Sequence, residues 1–134
     1  MSDHHAHGTF DVSITPAGAP DEGEGSVLGS MALAKVFHGE WEGTSKGTML
    51  TASSSGTTGS AAYVAVERFT GTLGGRIGSF ALVHRGVMSS AGRELTIGIV
   101  PDSGTGQLQG IAGRLSIDIA KDGTHHYDLD YSLP

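Results

Sequence analysis

The chain has 134 residues, a formal net charge of −6 with histidines neutral, and no cysteine. One domain of that length buries a sizeable core without staples. Disulfide scaffolds, CxxC redox sites and thiolate metal sites are excluded, and the acidic balance repels a nucleic-acid backbone. Glycine supplies 22 residues with no Gly-X-Y period, while only 6% of residues are aromatic.

The opening Met1-Ser2-Asp3-His4-His5-Ala6-His7 lacks the basic and apolar regions of a secretory leader. No apolar run approaches the length of a membrane span. The expectation is a cytoplasmic protein with no nucleic-acid or membrane partner, residues 1–7 forming a flexible His-rich tail and 8–134 a single domain.

From there the hydrophobic period is two almost throughout. Strands are predicted at about 7–15, 26–38, 41–52, 61–71, 76–88, 94–101, 112–121 and 124–133. The last pair is clearest. Leu115, Ile117 and Ile119 alternate with polar neighbours, Lys121-Asp122-Gly123 makes a hairpin turn, and Tyr127, Leu129, Tyr131 and Leu133 alternate with Asp128, Asp130 and Ser132. Helix signals are thin, with one turn predicted near Gly106–Gln109 inside the connection 102–111. Segments 16–25 and 53–60 are loops by composition.

Many glycines fall within or beside strands, where they permit the coiling and close approach that closing a sheet demands. This favours an all-β, closed antiparallel barrel of eight strands over a sandwich. So few bulky side chains fill such a bore poorly, and a small lumen cavity is expected.

Several segments carry a family resemblance: Glu40-Trp41-Glu42-Gly43-Thr44-Ser45, Ala62-Tyr63-Val64-Ala65-Val66-Glu67-Arg68-Phe69-Thr70-Gly71, Gly75–Gly86, Ser103–Leu108 and His125–Tyr131. In order and spacing they resemble the DUF3224 family of small bacterial proteins, over Gly8 to Leu133. The resemblance implies a closed eight-stranded barrel similar to allene oxide cyclase, a fold also found in dirigent proteins and bacterial cyclases. It implies no established activity.

Strand parity groups the candidate site. Tyr63, Glu67 and Phe69 share one face of their strand, Phe80 and His84 one face of the next, and His125, Tyr127 and Tyr131 one face of the last. The charged other face of the last strand points its aromatic row inward, whereas either parity is open for the strands of Tyr63 and Glu67 and of Phe80 and His84. We place Tyr63, Glu67, Phe80, His84, His125, Tyr127 and Tyr131 toward the lumen and Trp41 at its rim. Glu67, His84 and Tyr63 are the candidate catalytic groups; Trp41, Phe80, His125, Tyr127 and Tyr131 are candidate ligand contacts. Burial is expected to raise the pKa of Glu67 and make it a general acid or base. A ligand-lining role without catalysis, and plain packing, remain open for the same residues.

Other patterns are weaker. Gly43-Thr44-Ser45-Lys46-Gly47 fits GxSxG but lacks the strand–turn–helix context of a nucleophile elbow. Gly104-Thr105-Gly106 reads as a turn. His38-Gly39-Glu40 with His84 or His125 offers no diagnostic metal spacing, and neither metal nor cofactor is expected. A free Ser2 amine with His4 would form a square-planar copper site, although a solvated tail is the plainer reading.

Two functions follow. The leading one is binding of a hydrophobic small molecule in the lumen, with cofactor-free cyclase or isomerase chemistry. The alternative is a non-catalytic ligand carrier or a homo-oligomeric interaction protein.

Overall fold

A computed structural model describes residues 4–134. Among the described residues there are nine strands: β1 (His4–Pro16), β2 (Asp21–Glu22), β3 (Ser26–Gly39), β4 (Trp41–Ser54), β5 (Ala61–Leu73), β6 (Arg76–Ser89), β7 (Gly92–Ile99), β8 (Ala112–Ile119) and β9 (His125–Ser132). β2 is a two-residue strap on β3, from Asp21↔Leu28 to Glu22↔Val27, inside the segment predicted to be loop. The other eight form a closed antiparallel barrel. Their order is β1-β9-β8-β7-β6-β5-β4-β3, and pairing of β1 with β3 joins the ends.

β1 shows how closure is achieved. Its N-terminal part pairs with β9, from His4↔Tyr131 to Phe10↔His125. Its C-terminal part pairs with β3, from Gly8↔Gly39 to Pro16↔Met31. Tilted strands must be staggered in this way for a sheet to meet itself. Residues 4–7, predicted to be tail, are therefore strand. The copper site considered at Ser2 and His4 falls partly outside the described residues.

Turn chemistry matches the sequence. Gly74 and Gly75 take φ of 57° and 82° between Leu73 and Arg76, the two positive values that a tight hairpin needs. At the β8–β9 turn the Gly123 amide donates to the Ala120 carbonyl, and Asp122 Oδ1 accepts from the Thr124 amide at 2.9 Å. The single helical turn, Gly106–Leu108, lies where it was predicted.

Inward parity divides the bore into two halves. At one end Trp41, Phe37, Phe69, Phe80 and Tyr127 pack into an aromatic plug, with the Phe37 and Trp41 rings 3.9 Å apart and stacked. The β7–β8 connection caps this end with Leu108 and Ile111, both buried. Hydrogen bonds from the amides of Thr105 to Ser79 and of Ile77 to Gln107 tie the cap to β6. The opposite end is not plugged. There β7 and β8 share only the register pair Gly98↔Arg114, so the wall is thinnest beside the open half.

Candidate functional site

The open half of the bore holds a cavity of about 200 Å³. Its walls come from all eight barrel strands and include Phe10, Val12, Leu33, Met49, Ala65 and Ile117. Tyr63, His84 and His125 also line it, and so does Lys35.

A polar layer separates this cavity from the aromatic plug. Lys35 of β3, Ser45 of β4, Glu67 of β5 and His84 of β6 are all buried. Lys35 Nζ donates to Glu67 Oε2 at 2.9 Å, and the Ser45 hydroxyl donates to Glu67 Oε1. His84 Nε2 lies 2.6 Å from Glu67 Oε2. That contact is close, and His84 Nε2 has no other polar partner among the described residues. The Lys35 ammonium also sits over the Phe10 ring, 5.1 Å from its centroid.

Local sequence explains the convergence. Gly47 faces Glu67 across the β4–β5 ladder, and a Cβ there would strike the Val66 carbonyl and the Glu67 backbone. Glycine thus lets the two strands approach closely at the level of the carboxylate. Register sets Lys35 opposite Ser45 and Ala65 opposite His84.

The electrostatics of Glu67 reverse the expectation from burial. Desolvation is the largest single influence and pushes its pKa up. The hydrogen-bonding and charge interactions with His84 and Lys35 together outweigh it and hold the value at about 2, against an ordinary 4.5. Glu67 is therefore a fixed anion rather than a proton-sharing acid. For Tyr63, desolvation and the nearby Glu67 charge both push the phenol pKa up and keep it a proton donor.

The predicted site residues divide between the two halves. Tyr63, His84 and His125 line the cavity, with Glu67 directly beneath it. Trp41, expected at the rim, is instead fully buried in the plug, because β4 enters the barrel at its closed end. Phe80, Tyr127 and Tyr131 point inward as placed, but at the same closed level, and they do not line the cavity. The Tyr127 hydroxyl accepts from the Trp41 amide at 3.0 Å and donates toward the His38 carbonyl at 3.0 Å. Burial accordingly pushes its pKa up.

Lys35 and Ser45 were missed. The signal was present for Lys35, which occupies the inward row of β3 between Leu33 and Phe37. Ser45 had been weighed only as the centre of GxSxG. His38 is exposed and bonded to Asp11 Oδ2 at 2.9 Å, far from any role with His84. Among the described residues, no three His, Asp or Glu side chains gather as a metal-ligand set.

The DUF3224 family model, described as a protein of unknown function, matches residues 6–131. A crystal structure of a DUF3224 protein of unknown function from Shewanella oneidensis MR-1 is similar to this chain at 42% identity. The match covers 98% of each chain, with a TM-score of 0.91. No curated protein matches. With the family model spanning nearly all of this barrel, the chain belongs to the DUF3224 family.

Proposed function

We propose that the barrel binds a small, mainly apolar molecule in its open half and moves a proton on it through His84, as a cofactor-free isomerase or cyclase. The supporting observation is the placement of a buried Lys35–Glu67–His84 cluster at the floor of an otherwise apolar cavity. Ligand pockets combine apolar walls with a few convergent polar groups in this way. A barrel similar to that of allene oxide cyclase suits such chemistry, since a closed wall can hold a flexible molecule in one reactive shape.

The roles differ from those assigned by sequence. Glu67 does not line the cavity, so it is a positioning residue. Its carboxylate fixes the His84 ring and stabilises the imidazolium formed when that ring takes a proton. With Nε2 turned to Glu67, Nδ1 is the nitrogen left for the bound molecule. In an isomerisation His84 removes a proton from one carbon and returns it to another, leaving no net charge. Lys35 and the Tyr63 phenol stabilise the enolate oxygen in between.

Native mass spectrometry of freshly purified protein, followed by solvent exchange of substrate protons, tests the reading. A co-purifying small molecule whose proton exchange is lost in His84→Gln is expected. Binding that persists with no exchange in the unaltered protein would leave a carrier. An empty cavity that takes up no apolar compound would refute the proposal.

Association of copies through the outer face is a second reading. Leu50, Val64, Val66 and Val83 lie across adjoining strands β4–β6 and are each about half exposed. Analytical ultracentrifugation of the protein beside Val66→Lys tests it, with a shift from oligomer to monomer expected.

A further inference from the structure

We infer that the natural ligand is a small monocarboxylate, bound with its carboxylate on the Lys35–His84 floor and its apolar body toward the mouth. This rests on the binding role proposed above and specifies the chemistry of the bound molecule.

The cavity does not share the acidic balance of the chain. The protein carries a formal −6 overall. With histidines neutral in both counts, the cavity lining holds two cations, Lys35 and Arg93, against a single acid, Glu94. Glu67 lies below the lining and pairs with Lys35, so lining and floor together are neutral and lack the acidic excess that repels an anion from the rest of the chain. A neutral hydrocarbon would gain nothing from that arrangement.

Unused donors make the floor specific. Lys35 spends one of its three N–H bonds on Glu67 and has no other hydrogen-bond acceptor among the described residues. His84 makes no side-chain hydrogen bond besides its approach to Glu67. Tyr63 stands beside it, with ring centroids 6.3 Å apart, and its hydroxyl has no protein partner among the described residues. A carboxylate accepts from both Lys35 and Tyr63, whereas an alkane leaves the buried Lys35 donors unsatisfied and an alcohol cannot pair with the ammonium as an anion does.

Orientation follows from the rim. Ile14, Leu95 and Ile119 border the mouth, and all are exposed to solvent. An apolar rim over a charged floor suits an amphiphile that enters head first. Arg93, also in the lining, attracts the anion during entry. Size limits the body. A cavity of about 150 Å³ accepts benzene, so about 200 Å³ accommodates one ring or a short chain with a carboxylate attached.

Isothermal titration with hexanoate and benzoate, beside hexanol and benzyl alcohol, tests this. Each acid is expected to bind at least about tenfold more tightly than its alcohol at neutral pH. The double variant Lys35→Met/Glu67→Gln removes both buried charges together. It should keep alcohol binding and lose the preference for acid, while Arg93→Gln should slow association and retain the preference.

Equal affinity for acid and alcohol would overturn the carboxylate inference and leave the cavity reading standing. Failure of all four compounds to bind would overturn both. Loss of the preference in Arg93→Gln but not in the double variant would show a head-out orientation and refute the geometry. Circular dichroism of each variant confirms that the barrel has folded.

Discussion

Lys35 and His84, carried by strands on either side of the β4–β5 pair, converge on the same oxygen of Glu67, at 2.9 and 2.6 Å. Two basic side chains sharing one buried carboxylate oxygen make that residue the keystone of the polar layer. Neither base has another acidic partner among the described residues.

Removing the carboxylate should therefore destabilise the barrel strongly. Glu67→Gln leaves Lys35 buried beside a neutral amide, a loss of about 3–5 kcal/mol. Lys35→Met/Glu67→Gln should recover most of it, since no uncompensated charge remains. Urea unfolding of the three proteins checks the comparison, and a double variant less stable than Glu67→Gln would refute it.

Acid should act through the same group. The folded pKa of Glu67 is lowered to about 2 from 4.5. Its contribution, on the order of 3 kcal/mol, is complete above pH 4.5 and lost as the pH falls through about 2. Acid titration followed by near-ultraviolet dichroism should show a transition in that window. In Glu67→Gln the pH-dependent part of it should disappear.

At the β1–β9 seam the sign is reversed. His5 lies between Asp130, at 2.7 Å, and Asp128, at 3.1 Å. The hydrogen bond to Asp130, with smaller help from Asp128, raises its pKa above the ordinary 6.5. This contribution is complete below pH 6.5 and fades as the pH rises through the folded value. The pair is fully exposed, so the effect is small. Titration by NMR should place the His5 ring above 6.5 and return it toward 6.5 in Asp130→Asn.

The plug and the cavity should respond independently. Tyr127→Phe strands the buried Trp41 amide, costing about 1–3 kcal/mol of stability. Hexanoate affinity should remain unchanged, because Tyr127 does not line the cavity. Ala65→Leu should do the opposite. It fills space beside His84 and should weaken hexanoate binding about tenfold or more, while unfolding free energy changes by less than about 1 kcal/mol.

Local chemistry was sufficient for the strands. Alternation placed them within a few residues of their observed limits, and Asp122-Gly123 marked a turn because glycine there takes φ of 90°. Parity turned Tyr127 inward because the other face of its strand is charged, but it left either face open for Tyr63, Glu67 and His84, which the structure turns inward. It could not say at which height along the bore each would sit. That depends on strand stagger, a property of pairings between residues far apart in sequence.

Composition and periodicity by themselves determined an all-β chain, its strands, most of its turns and which side chains share a face, because these depend on near neighbours. Tertiary structure alone decided that Trp41 and Tyr127 seal one end while Tyr63 and His84 border an opening at the other. It also decided the charge state of Glu67. Burial pushes a carboxyl toward neutrality, and only the arrival of His84 and Lys35 from two other strands keeps it ionised.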